Sequence, residues 1–141
     1  TAAGEVSPAF FQQELESALI EMAEKFPHRL GYYSKTTYPR FLSHSMRNAA
    51  WAGFGFDHRA ALAESFSDFR SGFVQGNFDQ NLMFLPKQEF KLELNRFLQP
   101  LQKMSLEQRA GWVCGLGHGV LPQTPEENVK SFVEIVREKF A

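Results

Sequence analysis

The chain has 141 residues, 43% of them hydrophobic and 22% charged, the balance of one globular domain able to bury its own core. Lys and Arg number 15 against 16 Asp and Glu, a net charge of -1, which excludes a nucleic-acid binder working by bulk charge and an acidic disordered tail. The lone cysteine, Cys114, has no internal partner and fits a reducing, cytoplasmic setting. No apolar run reaches the roughly 18 residues of a membrane helix, and the opening residues do not read as a basic-then-apolar leader. The start at Thr1 leads us to expect a processed or truncated chain. Of the aromatic residues, 15 are Phe, so Phe is expected to carry much of the apolar burial.

Ser7 and Pro8 read as the cap and first residue of a helix. Phe11, Leu15, Ala18, Leu19, Met22 and Phe26 then recur at helical spacing, and Pro27 ends the run. Leu30 to Tyr33 has strand length. A second helical stretch begins near Pro39 and carries Phe41, Leu42 and Met46. Trp51 to Phe56 predicts a second strand, and His58 to Phe66 a short helix. Gly72 to Val74 predicts a third strand. Lys87 to Gln99 predicts a helix that Pro100 stops, and Gly111 to Cys114 a fourth strand. In the last helix Thr124 and Glu127 stand at capping-box spacing around Pro125. Val129, Phe132, Val133, Val136 and Phe140 form its apolar stripe, opposite Lys130, Glu134, Arg137 and Glu138.

The order is thus α followed by βα four times. Short strands alternating with helices imply a parallel sheet with right-handed crossovers. Four such units are half of a (β/α)8 barrel, or a small open α/β sheet.

Each predicted strand runs into polar residues: Ser34 and Lys35, then Asp57, then Gln75 with Asn77, then Gly115-Leu116-Gly117-His118-Gly119. Parallel α/β folds bind ligands at the carboxyl ends of their strands. Lys35, Asp57, Gln75, Asn77 and His118 are therefore the candidate rim, although polar turns also follow strands that bind nothing. His118 stands out, because flanking glycines leave its imidazole unshielded and histidine titrates near neutrality. A histidine in a plain surface turn has the same appearance. Gly115, Gly117 and Gly119 hint at a phosphate cradle, but Pro122 and Pro125 separate them from the next helix. The four histidines, 28, 44, 58 and 118, include no pair at i, i+4, so no metal set is read from them. Cys114 reads as a buried strand residue and Ser43-His44 as a solvated helix pair. Arg40, Arg47, Arg59 and Arg70 read as solvating cations.

These segments resemble the carboxyl-terminal half of the uroporphyrinogen decarboxylase family. Gly115-Leu116-Gly117-His118-Gly119-Val120-Leu121-Pro122, then Thr124-Pro125-Glu126-Glu127-Asn128-Val129, is similar to its closing motif. Val74-Gln75-Gly76-Asn77-Phe78-Asp79 is similar to its Leu-Gln-Gly-Asn-Leu-Asp segment. Tyr33-Ser34-Lys35-Thr36 stands where the family has Phe-Ala-Lys-Gly, and Gly55-Phe56-Asp57 resembles Gly-Leu-Asp. Thr1-Ala2-Ala3-Gly4 with Ser7-Pro8 resembles its Ser-x-Ala-Gly…Ser-Pro segment.

The resemblance implies a (β/α)8 barrel, usually a homodimer, of which residues 1–141 would be one partial domain of four parallel strands. It implies a lyase of tetrapyrrole synthesis, needing no metal or cofactor, that converts uroporphyrinogen III to coproporphyrinogen III. It implies His118 and Thr1 as substrate-binding residues. The family's paired Arg residues, catalytic Asp and pocket Tyr belong to the amino-terminal half, so these residues would be inactive alone, and neither Asp57 nor Asp79 is that Asp. Asp79-Gln80 replaces Asp-Pro, and His58 stands where the family tends to have Trp. The partners implied are the tetrapyrrole and either the missing half or a second copy, with no nucleic acid and no membrane. Two alternatives remain: a non-catalytic half-barrel module, or a relative of the corrinoid methyltransferases of the same fold. The latter use a thiolate zinc site whose cysteines are missing here.

Overall fold

The computed structural model describes residues 3–37, 39–62, 66, 69 and 72–140. The side chain of Arg40, and Thr1 and Arg70 entirely, lie outside the described residues. Four parallel strands, β1 (Gly31–Tyr33), β2 (Gly53–Gly55), β3 (Phe73–Gln75) and β4 (Trp112–Val113), lie side by side in chain order. The registers Tyr32↔Phe54, Phe54↔Val74 and Val74↔Trp112 make one row across the sheet. Strand side chains alternate between faces, so this row points one way. Tyr33, Gly55, Gln75 and Val113 point the other way, and Tyr33, Gln75 and Val113 are exposed.

The row Tyr32, Phe54, Val74 and Trp112 is covered by the helices. Helix α1 (Pro8–Phe10) starts as expected, with Ser7 Oγ accepting from the Phe10 N–H at 3.2 Å. It passes through a π-helical turn, Phe11–Leu15, into α2 (Glu16–Lys25). These pack with α3 (His44–Asn48) over the first half of the sheet, where Phe11, Ala23, Phe41 and Met46 meet Tyr32, Phe54 and Val74. Helices α4 (Lys87–Gln102) and α5 (Glu126–Phe140) cover the second half, burying Phe78, Phe90, Leu94 and Leu98. Phe11 and Phe90 are wholly inaccessible, and each such burial contributes roughly 1.5–3 kcal/mol. Gly72 and Gly111, just ahead of β3 and β4, both have φ of +80°. A Cβ there would lie 2.2 Å from the Ala52 carbonyl oxygen and 2.4 Å from that of Gly72. Only glycine lets the chain enter these strands so close to its neighbour.

Several helix faces differ from the periodicity. The stripe predicted through Leu15, Met22 and Phe26 is exposed, and the buried line instead runs Phe11, Glu16, Ala23. The π-turn is the cause: one extra residue between Phe11 and Glu16 rotates everything after it. Glu16 is buried because its Oε1 accepts the Ser43 N–H at 2.8 Å. Ser43 is thus no solvated residue, since its Oγ also caps α3 through the Met46 N–H at 3.1 Å. Pro100 does not stop its helix but sits inside the last turn of α4, where the Lys103 N–H closes onto Gln99 and Pro100 carbonyls. Thr124 Oγ1 donates to the Leu121 carbonyl at 2.7 Å instead of closing a capping box. In α5 Val133 is exposed and Ile135 packs inside. Val129, Phe132, Val136 and Phe140 of the stripe pack inside as expected, and Asn128 is buried beside them because its Nδ2 donates to the Met83 and Leu85 carbonyls, each at 2.9 Å. Of the helix predicted at 58–66, residues 58–60 are a turn and 63–65 lie outside the described residues. No helix among the described residues is long and apolar enough to cross a membrane.

Candidate functional site

The four strand exits lie on one edge of the sheet, because the strands are parallel. They are tied to one another in order. Thr36, after β1, donates its N–H to Asp57 Oδ2, after β2, at 2.7 Å. Asn77, after β3, donates Nδ2 to the carbonyls of Asp57 at 2.6 Å and Ala60 at 2.7 Å. Phe78 donates its N–H to the Gly115 carbonyl at 3.0 Å, and Gly117 returns a bond to the Phe78 carbonyl at 2.7 Å. A parallel bridge, Phe78↔Leu116, prolongs the β3–β4 pairing into this loop.

Gly117 is the point where these ties converge. Besides its bond to Phe78, its carbonyl accepts the Tyr33 hydroxyl at 2.8 Å. A Cβ on Gly117 would lie 2.4 Å from the His58 amide nitrogen and 3.1 Å from Asp57 Cα. The loop after β4 therefore crosses the ends of β3 and β2 and touches the exits of all three other strands. His118 is the next residue, exposed, with Nδ1 3.4 Å from the Gly119 carbonyl oxygen.

Beneath this loop, on the sheet face turned away from the helices, is a cleft of about 500 Å³ lined by Tyr33, Phe73, Gln75 and His118, with Gly31 and Gly55 in its floor. The structure thus brings His118 and Gln75 together, with Tyr33 beside them. Lys35 lies in the turn after β1 and is exposed, outside the cleft lining. Asp57 is 2% exposed, and its carboxylate is engaged by the N–H groups of Thr36 and Arg59 and by the Arg59 guanidinium at 2.7 Å. Arg59 is therefore paired, not merely solvating. Asn77 is buried and its amide is spent on the two carbonyls of the neighbouring loop.

The electrostatics follow from these contacts. Burial raises the Asp57 pKa, but hydrogen bonds from Thr36 and Arg59 and the charge of Arg59 outweigh it and hold the carboxyl below its ordinary value. Burial and the Asp57 charge push the Tyr33 phenol up, against a smaller opposing effect of Arg59. Tyr33 is therefore a protonated donor at neutral pH. Burial also pushes the Cys114 thiol up to about 12, so it is no nucleophile. Among the described residues no group of three or more His, Cys, Asp and Glu is placed to hold a metal. Tyr33 and Phe73, which also line the cleft, are not among the rim residues that the sequence suggests. The strand period held the signal, since odd-numbered residues from Gly31 and from Phe73 share the cleft face.

An open parallel α/β sheet with its cleft under a Gly-His-Gly loop at the strand carboxyl ends defines the class: a (β/α)-type fold with its candidate site on the exit loops. The family model described as uroporphyrinogen decarboxylase (URO-D) matches residues 1–139, and the chain belongs to this family. A uroporphyrinogen decarboxylase of Chlamydia trachomatis serovar D is 40% identical over 78 residues, 55% of this chain and 22% of the relative. That of Solibacter usitatus is 38% identical over 86 residues, 60% of this chain and 23% of the relative. That of Thermus thermophilus is 34% identical over 97 residues, 69% of this chain and 27% of the relative. The matched segments thus span about a quarter of the length of these curated relatives.

Proposed function

We propose that residues 1–141 form one partial domain, the carboxyl-terminal half of a (β/α)8 barrel. In our reading it supplies the His118 rim of a uroporphyrinogen decarboxylase of tetrapyrrole synthesis, working in the cytoplasm without a cofactor. The observation that carries this reading is the Gly-His-Gly loop: it lies over a cleft at the strand carboxyl ends, within the residues 1–139 that the family model matches. The sheet face bearing Tyr33, Phe73, Gln75 and Val113 would be barrel interior, covered by the other half or by a second copy. The substrate would be uroporphyrinogen III, whose four acetate arms lose carbon dioxide to give coproporphyrinogen III. In that chemistry a pyrrole carbon is protonated, carbon dioxide leaves, and the resulting methyl carbon is protonated. His118, and by the resemblance Thr1, would hold carboxylates of this polyanion. Lys35 and Gln75 would complete the rim, while Asp57 and Asn77 hold its loops together.

The groups that protonate and stabilise the pyrrole belong, by the resemblance, to the other half. The 141-residue chain alone should therefore form no coproporphyrinogen. Residues 1–139 grafted in place of the carboxyl-terminal half of the Thermus thermophilus relative should restore turnover, measured as coproporphyrin after oxidation. Turnover by the chain alone, or a folded but inert graft, would sink the reading. In that graft His118→Asn should lower kcat/KM by one to two orders of magnitude, since a charged hydrogen bond contributes about 1.5–3 kcal/mol. Melting should be unchanged because the side chain is exposed. Unchanged kinetics with a lowered melting temperature would make His118 structural.

A further inference from the structure

We propose that Tyr33 is a positioning residue, a strap that holds the Gly117–Gly119 loop, and with it His118, over the cleft. The bond from its hydroxyl to the Gly117 carbonyl joins residues 84 apart in sequence at 2.8 Å. It links the loop after β4 to β1, the strand farthest from β4 in the sheet. The ring can reach that far because it lies against Gly55, where a Cβ would stand 3.1 Å from Tyr33 Cδ2. Tyr33 touches the loop through Gly117, one residue from the imidazole, and the peptide between them is planar. Fixing the Gly117 carbonyl therefore fixes the plane from which His118 departs. The other ties on Gly117 act at different atoms: its N–H to Phe78 and its Cα against Asp57 and His58. The phenol is what holds the carbonyl end. A phenylalanine at position 33 keeps the ring on Gly55 and removes the strap.

The inference rests on the cleft being the carboxylate-binding site, and the test separates the two. In the 141-residue chain, residue-resolved hydrogen exchange is compared between wild type and Tyr33→Phe. The Gly117 amide, bonded to the Phe78 carbonyl, reports loop opening. The Leu94 amide, inside α4, reports global opening. A neutral hydrogen bond corresponds to roughly three- to tenfold in an opening equilibrium, so Gly117 should exchange faster by that factor while Leu94 keeps its rate. Equal acceleration at both amides would make Tyr33 a general packing residue and overturn the strap, as would no change at Gly117. Uroporphyrin, a fluorescent octacarboxylate, is then titrated against the complete graft carrying Tyr33 or Tyr33→Phe. Binding should weaken by the same roughly three- to tenfold in Tyr33→Phe, and equal affinities overturn the positioning role. A folded graft with Tyr33 that does not bind uroporphyrin refutes the site reading, and the Gly117 exchange ratio in the 141-residue chain still decides the strap.

Discussion

Gly117→Ala should destabilise the chain by about 3 kcal/mol, as expected when an added carbon must displace packed main chain. The new methyl would lie 2.4 Å from the His58 amide nitrogen, 3.0 Å from the Asp57 carbonyl carbon and 3.1 Å from Asp57 Cα. These are backbone atoms, held by the Asn77 bonds to the Asp57 and Ala60 carbonyls, so no flexible side chain can yield. Either the loop after β4 lifts, or the turn after β2 is pushed aside. Lifting the loop loses the bonds of Gly117 to Phe78 and Tyr33. Differential scanning calorimetry should find Tm lower by roughly 10 °C for a domain of this size. The neighbouring Gly119→Ala is the control. A Cβ at Gly119 meets nothing within 4 Å, so its melting should be close to wild type. Equal melting of the two variants would mean that the loop is not wedged against the turn after β2.

The contrast between these two glycines shows where sequence reasoning reached and where it stopped. The parallel order of the strands was legible because each short apolar run, from Leu30 to Tyr33 onward, is followed by polar residues and then a helix. The edge that carries His118 followed from that order. The wedge at Gly117 was not legible, because its cause is the approach of a turn some sixty positions earlier, which no local pattern encodes. The same holds for Tyr33, whose hydroxyl partner is 84 positions away. The exposed line Leu15, Met22 and Phe26 failed for a local reason: a regular 3.6 period cannot foresee a π-turn at Phe11–Leu15. The α5 stripe held at Val129, Phe132, Val136 and Phe140 and missed at Val133, while Asn128, a polar residue that a hydrophobic pattern places outside, is drawn in by two backbone carbonyls. Its place after a strand puts Asp57 on the candidate rim. Its burial with three donors is a tertiary fact that only the neighbouring loops reveal.

Asp57→Ala should cost about 2–3 kcal/mol, because it strands the donors that the carboxylate now satisfies. The Thr36 N–H would lose its partner at 2.7 Å and the Arg59 N–H its partner at 3.0 Å. Arg59→Ala should cost less, about 1 kcal/mol or under, since the guanidinium is 47% exposed and turns readily to water. The pH dependence carries a definite sign. The folded Asp57 pKa lies below its ordinary value, so the folded state binds this proton less readily than the unfolded chain. Its stabilisation is complete above the unfolded value of about 3.9 and is lost as pH falls from there through the lower folded value. Urea titrations of wild type and Asp57→Asn should therefore differ by a constant amount at pH 6 to 7. The two should converge as the pH is lowered below about 4. Other carboxylates titrate in the same range, but they are common to both proteins and cancel in the difference. A gap that persists unchanged at low pH would show that the Asp57 site works by shape and not by charge. A gap that closes would establish the carboxylate as the charged peg between the β1 and β2 exits, the same turn against which Gly117 rests.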